Sequence, residues 1–403
     1  MRVLHVLNSA TGGAALSTLG LIDRLKEFGV TSCAVCHAAD SPAERRALEG
    51  ATEGRVLFTP LYWWNKKIRA NWWKRPLIEA RQLLQTGWTR KSTRKVANFA
   101  QQQGVDLIHT NTILTLEGAY AARRLGVPHV WHVRELVGRG NPFRFVKEGR
   151  AFGEFVSQYA DKLVANSEVT ARQIRSWFPP GLIEVVPNGI DLSAFQPRTR
   201  TPQPRPLVIA MVASLTSQVK KHGLFVNAAA LADDRLAIEY RIYGADPSHG
   251  GSLRGNAYVD RIHDQVTAAG LRHRFQFPGH IEPAQIMSEI DILVHPADQE
   301  SFGRVVVEAM AAGLPVVGVR GGGVAEIVVD GQTGILVEPN NAAALATAIE
   351  EVACDAALRQ RLGEQGRQRA MNCYSLEACV AGIMNIYRSL ISNRCATPAG
   401  TTT

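Results

Sequence analysis

The chain has 403 residues, 46% of them apolar, and a net charge of +9, a length that exceeds one ordinary core and predicts two globular domains of roughly 200 residues each. No run approaches the ~18 uninterrupted apolar residues of a spanning helix, and Met1 leads straight into "RVLHVLN" with no signal-like apolar core, so a soluble protein in the cytoplasm is expected. Six cysteines at 33, 36, 354, 373, 379 and 395 match neither a disulfide framework nor a zinc pattern. The single CxxC, Cys33 to Cys36, falls in the strand-like "VTSCAVCH", where residues three apart face opposite ways and cannot share a metal.

In chain order, "RVLHVLN" (2–8) reads as a strand, "SATGGA" (9–14) as a glycine loop and "ALSTLGLIDRLKEFG" (15–29) as a helix ended by Gly29. A second strand follows, and "VDLIHTN" (105–111), "PHVWHVR" (128–134) and "DKLVANS" (161–167) repeat a buried strand ending in polar residues. Parallel sheets present their sites in that way. "IEVVPNGIDLSAF" (183–195) closes a first domain, 1–195, and the Pro- and Arg-rich "QPRTRTPQPRP" (196–206) reads as a hinge linker. The theme then restarts with "LVIAMVA", "LAIEYRIYG", "RFQFPG", "DILVHP" and "PVVGV" over a second domain, 207–373, before a terminal helix at 374–392 and a disordered tail at 393–403. The fold class is α/β, two tandem Rossmann-like domains, and the cleft between their strand C-terminal edges is the expected site.

The charge is uneven. Residues 1–200 carry 28 Lys and Arg against 16 Asp and Glu, whereas 201–403 carry 17 against 20. The stretch 62–95 alone holds ten basic residues, one acid and five of the seven tryptophans. Indoles beside basic clusters suit the headgroup zone of an anionic membrane; the alternative is a solvated helix face with tryptophans folded into the core. Nucleic acid fits less well, because no RNA- or DNA-binding motif accompanies the segment.

The densest chemistry lies in "ESFGRVVVEAMAAGLPVV" (300–317). "ADQESF" is a strand's exit loop and "GRVVVEAMAAG" a helix closed by Gly313, so Glu300 sits on the loop and Glu308 in the second helical turn. Eight helical residues span about 12 Å, whereas a retaining glycosidase pair needs carboxyls about 5 to 5.5 Å apart. Two separated acids, with the amides of Gly303 and Arg304 between them, suit a long ligand such as a sugar nucleotide, whose hydroxyls they grip while the helix N-terminus faces its phosphates. Two solvated glutamates around a helix start would produce the same spacing. The "GGGVAEIV" loop (321–328) adds further amides, with Glu326 as a capping acid or a sugar ligand, the cap being favoured.

"HPADQESFGRVVVEAMAAGLPVVGVRGGGVAEIV" resembles the E-x7-E region of the retaining glycosyltransferases of family 4, which have the two-domain GT-B architecture. "GGAALSTLGLIDRL", "VVPNGID", "VASLTSQVKKHGLFVNAAALA" and "YSLEACVAGIMNIYRSL" resemble that family's Gly-Gly loop and helix, the segment before the hinge, the phosphate-contacting lysine loop and the C-terminal helix that crosses back to the first domain. The resemblance implies that Glu308 binds the nucleotide ribose and Glu300 the transferred hexose, helped by amides at Ser301, Phe302 and Gly303. Lys220 would hold the diphosphate, Gly12 and Gly13 would let backbone approach it, and His132 would lie near the reacting sugar. Family members commonly carry an arginine six residues before that lysine; Ser214 stands there in this chain, and Lys221 or Arg304 can substitute for the missing charge.

No Asp-x-Asp ends a strand, so no metal and no cofactor are expected, and cationic side chains must hold the diphosphate. The implied reaction is a metal-independent, retaining transfer of a hexose from a nucleotide diphosphate sugar. The acceptor would be a glycan or a lipid-linked intermediate of cell-surface polysaccharide synthesis, bound by the basic first domain. An anionic membrane surface is a candidate partner, with the protein peripheral on the inner face of the cell membrane. A nucleotide-sugar epimerase of the same fold and a non-catalytic sugar-nucleotide-binding protein are the rivals.

Overall fold

The short apolar runs pair side by side as parallel strands, because runs that are apolar on both faces are stable only when covered on both. The computed structural model describes residues 1–9, 12–37, 42–66, 75–137, 144–145, 147–197, 205–215, 218–244 and 257–396. They divide into a first unit, Met1–Gly189 with the C-terminal segment from Leu376, and a second, Ile190–Ser375. The division falls at Gly189/Ile190 rather than after residue 195, and residues 198–204 of the expected linker lie outside the described residues.

In the first unit the order is β1 (Arg2–Leu7), α1 (Gly12–Leu25), β2 (Thr31–Cys36), α2 (Pro42–Ala51), β3 (Val56–Phe58), β4 (Asn65–Lys66), α3 (Arg75–Gln103), β5 (Leu107–Thr110), α4 (Glu117–Leu125), β6 (His129–Val133), β7 (Arg144–Phe145), α5 (Arg150–Ser157), β8 (Lys162–Ala165), α6 (Glu168–Ile174) and β9 (Ile183–Val185). The main sheet runs β3-β2-β1-β5-β6-β8-β9, parallel at every pair. β4 and β7 form a separate antiparallel pair. The expected helix over 15–29 starts earlier, at Gly12, and its last turn tightens to a 3-10 helix, Lys26–Phe28, before Gly29. Cys33 and Cys36 are buried on β2 and not joined in a disulfide, and they pack into two different apolar clusters, as opposite faces of a strand require.

The second unit contains β10 (Leu207–Val212), α7 (His222–Leu231), β11 (Ile238–Tyr243), α8 (Ala257–Ala268), β12 (Phe275–Gly279), α9 (Pro283–Glu289), β13 (Ile292–His295), α10 (Arg304–Ala311), β14 (Val316–Val319), α11 (Val324–Ile327), β15 (Ile335–Val337), α12 (Ala342–Cys354) and α13 (Ala356–Cys373). Its sheet order is β12-β11-β10-β13-β14-β15. Along β10, Ile209 and Met211 join one apolar layer while Val208 and Ala210 join the other, so helices cover both faces. The chain order reverses direction between β10 and β13 here, and between β1 and β5 in the first unit. Doubly wound sheets bind ligands at such switch points, beyond the strand carboxyl ends.

The last helix, α14 (Leu376–Ala396), belongs to the first unit. Leu376, Cys379, Val380, Ile383, Met384 and Tyr387 recur at helical spacing and pack with Val3, Leu21, Leu25 and Leu107. The helix extends through Asn393–Ala396, into the segment expected to be a tail; residues 397–403 lie outside the described residues. Among the described residues no helix is long and apolar enough to cross a membrane.

Close packing leaves sharp tests. A Cβ on Gly153 of α5 would run into the Trp177 carbonyl, whereas one on Gly87 of α3 meets nothing. Gly153→Ala should lower the denaturation midpoint by an amount worth about 1–3 kcal/mol, and Gly87→Ala should leave it unchanged or raise it by up to about 1 kcal/mol. Equal midpoints for the two variants would refute this packing.

Candidate active site

In the second unit the loops after β10 and β13 converge at the switch point. β10 leads through Ala213–Leu215 to a 3-10 turn, Gln218–Lys220, and the Lys220 ammonium contacts Glu300 Oε2. Lys221 adopts a left-handed backbone, φ 56°, uncommon for a side chain with a Cβ. Its Nζ lies 2.8 Å from Asp298 Oδ2 and 2.6 Å from Asn340 Oδ1. His295, the last residue of β13, places Nε2 3.7 Å from Glu300 Oε2. Burial drives the Glu300 carboxyl upward, but the Lys220 charge and hydrogen bond outweigh it and hold the carboxyl below its usual range. Burial pushes His295 down to about 4, so a neutral imidazole faces the carboxylate.

Glu308 lies on α10 and is only 4% exposed. Arg304 Nε donates to its Oε1 at 2.7 Å, one helical turn away. Burial, the larger influence, raises the Glu308 carboxyl against the pull of Arg304. The α10 N-terminus is opened by Gly303 at φ 102°, a conformation that favours glycine. Ser301 is half-buried. Phe302 is in the core with its ring 5.8 Å from Tyr374, so its backbone is the part left to a ligand.

The triple glycine before α11 has a role that spacing did not disclose. A Cβ on Gly321 would lie 2.7 Å from the Asp298 carbonyl and one on Gly323 2.5 Å from the Phe302 carbonyl, while one on Gly322 would collide with the Glu300 carbonyl. Side chains are absent there so that the loop can lie against residues 298–302. The Gly323 N–H donates to the Glu300 carbonyl at 2.7 Å, and Glu326 lies in the first turn of α11. Sequence reasoning does not single out Asp298, His295 or Asn340; the only signals are the polar runs at the ends of β13 and β15, "HPADQES" and "EPNN".

In the first unit Gly12 opens α1 with φ 82°, and Gly13 follows it, both exposed. The Thr18 hydroxyl of α1 donates to the Ala14 carbonyl at 2.9 Å and lies 3.4 Å from Asn111 Oδ1, just past β5. Arg134 Nη2 donates to the same Asn111 oxygen at 3.4 Å and to His132 Nδ1 at 3.3 Å. His132 is fully buried at the end of β6, and its Nε2 has no hydrogen-bond partner among the described residues. His109, 3.2 Å away, and Tyr387 of α14 extend the cluster.

The basic, tryptophan-rich stretch divides between the two readings. Trp64 Nε1 donates to the Ile113 carbonyl at 2.7 Å and its ring packs on Phe145, Phe152 and Phe155, a core role. Trp63 and Trp88 are 43% and 47% exposed. Trp88 stacks on Tyr62 and, with Thr59, Lys91 and Lys95, lines a concavity of about 280 Å³. Residues 67–74, with Trp72 and Trp73, lie outside the described residues.

Two family models match adjoining parts of the chain: "Glycosyltransferase Family 4" over residues 11–194 and "Glycosyl transferases group 1" over 195–369. A D-inositol 3-phosphate glycosyltransferase of Geodermatophilus obscurus is 33% identical over 303 residues, 70% of this chain and 66% of that protein. The chain thus spans about two thirds of that relative's length. Among solved structures, HepE of Anabaena in complex with UDP and glucose superposes with a TM-score of 0.76 at 22% identity, over 96% of this chain and 100% of that one. Sucrose-phosphate synthase from Thermosynechococcus elongatus gives 0.73 at 21%, over 98% and 100%. Both likenesses establish the fold.

A buried carboxyl raised by burial opposes folding in its charged form. Glu308 is neutral in both states well below pH 4; as pH rises through its unfolded value toward its raised folded value, it progressively costs stability. Glu308→Gln should therefore match or exceed the wild-type melting midpoint at pH 7.5 while showing no such gain at pH 4. A clear loss confined to pH 7.5 would mean that the Arg304 pair stabilises the fold after all.

Proposed function

Because the chain belongs to the GT-B glycosyltransferases of family 4, we propose that it moves a hexose from a nucleotide diphosphate sugar to a glycan or lipid-linked acceptor, with retention and without a metal. The observation that carries this reading is the second unit's arrangement of Lys220 on Glu300 and Arg304 on Glu308, a half-buried and a buried acid flanking the start of α10. HepE, of the same fold, is solved with UDP and glucose, which supports a nucleotide sugar as donor.

Glu308, buried and half-neutralised by Arg304, grips the ribose hydroxyls. The Lys220 ammonium exchanges Glu300 for the diphosphate, and Glu300 is then free to accept hydrogen bonds from the hexose. Gly12 and Gly13, together with the backbone at Ser301, Phe302 and Gly303, contribute close approach and amide donors. In the transfer step the acceptor oxygen bonds to the anomeric carbon as the bond to the diphosphate breaks. The acceptor's proton passes to a departing phosphate oxygen. Lys220 stabilises charge that grows on the diphosphate, with Lys221 and Arg304 in reserve for the arginine that Ser214 replaces.

Incubation with a panel of nucleotide sugars, with nucleotide release followed by mass spectrometry, tests the reading. Lys220→Ala should lower turnover at least about a hundredfold, the scale of losing one preorganised donor. Release from no donor, with or without added glycan acceptors, would remove the assignment. Sugar interconversion without acceptor would replace it by epimerisation.

The exposed Trp88 beside Lys91 and Lys95 supports an acceptor presented at an anionic surface, with the protein peripheral on the cytoplasmic face of the membrane. Each lysine near such a surface contributes about 1 kcal/mol. Lys91→Gln with Lys95→Gln should therefore weaken co-sedimentation with phosphatidylglycerol vesicles by roughly tenfold or more, and Trp88→Ala should add to the loss. Wild-type protein that stays in the supernatant at low salt, with tryptophan emission unchanged by vesicles, would point to a soluble acceptor.

A further inference from the structure

Four of the eleven histidines, His5, His109, His129 and His132, are buried together in the first unit, and the proton positions of two of them can be deduced. A guanidinium has donors only. Arg134 Nη2 lies 3.3 Å from His132 Nδ1, so that nitrogen carries a lone pair. His109 Nε2 is 3.2 Å from the same atom and must therefore bear a hydrogen pointing at it. A neutral His109 then has its lone pair on Nδ1, to which the Tyr387 hydroxyl donates at 2.5 Å. The imidazole planes are within 5° of parallel and the phenol meets His109 edge-on at 87°.

Every group in this chain is neutral. Burial first, then the Arg134 charge, hold His132 well below its ordinary value; burial likewise holds His109 well below, and it raises the Tyr387 phenol. The one remaining imidazole proton of His132 sits on Nε2, the buried nitrogen with no partner among the described residues. Buried donors are rarely left unmade, so this proton is aimed at an acceptor that the described residues do not supply.

We infer that Arg134 sets the direction of the chain Tyr387–His109–His132, so that His132 presents an Nε2–H donor to a ligand hydroxyl oxygen and never acts as a base there. The reverse chain would put a proton on His132 Nδ1 facing the guanidinium, donor against donor. Arg134 is itself fixed, Nη1 donating to Asn188 Oδ1 and Nη2 also to Asn111 Oδ1. It is a positioning residue: it acts through His132. Only the identity of the ligand, a sugar, rests on the glycosyl-transfer reading; the proton arrangement does not.

Nitrogen NMR of the full chain with ring-labelled histidine decides the matter without substrate. Comparison with His132→Gln identifies the His132 signals. Wild type should show a bare Nδ1 and a protonated Nε2 on His132, with no titration between pH 6 and 8. Arg134→Lys, which keeps a donor, should preserve that pattern, whereas Arg134→Met should move a substantial fraction of His132 to Nδ1–H. Turnover of Arg134→Met should fall about tenfold or more, the scale of one hydrogen bond, with nucleotide affinity unchanged. A protonated Nδ1 on wild-type His132 overturns the inference, as does an unaltered tautomer in Arg134→Met. Absence of transferase activity alongside the expected spectra would sink the functional reading and leave this one standing.

Discussion

A carboxylate that has surrendered most of its water has to be paired, and in the second unit that requirement falls on Glu300 and Lys220. An uncompensated buried charge costs several kcal/mol. With Lys220 in contact the carboxyl is held below its usual range although burial pushes it upward. The pair lies across the sheet's switch point, one partner on the loop after β10 and the other on the loop after β13. Lys221, Asp298 and Asn340 repeat the arrangement a few residues along and stitch in the loop after β15. The loops after β10, β13 and β15 are thus held to one another by charged and polar side chains.

That arrangement demands room. Residues 298–302 can turn toward Lys220 only if something lies beneath them closely, and the three glycines at 321–323 do so with backbone alone. A tight run of glycines reads in sequence as amides offered to an anion. Here at least one of those amides, at Gly323, is already spent on the Glu300 carbonyl. The glycines serve the acid loop first, and any contact with ligand is additional.

What was legible follows from periodicity. Parallel strands covered on both faces announce themselves as unbroken apolar runs, so the principal strands and the doubly wound plan could be read with ends misplaced by a residue or two. Three-residue strands such as β3 and β15 carry too little pattern, and the unit boundary depends on which layer Ile190 packs in, a fact of tertiary contact. Glu300, Glu308 and Lys220 were legible because motif and spacing single them out. Asp298, Asn340 and Tyr387 were not, since each matters through a partner distant in sequence, Tyr387 and His109 being 278 residues apart; His295 and Arg134 have near partners in Glu300 and His132, but their roles depend on strand-end geometry that spacing does not carry.

The two units manage buried polarity by opposite means. In the second, full charges oppose one another, and the acids Glu300 and Glu308 are pulled to different sides of their ordinary range by how strongly their cations compensate burial. In the first, burial has removed charge from the imidazoles altogether, and one cation, Arg134, survives because two asparagine oxygens and an imidazole lone pair receive its protons. An ion-paired site can exchange partners when a charged ligand arrives. A neutral chain with a fixed direction cannot, and offers one donor in one place.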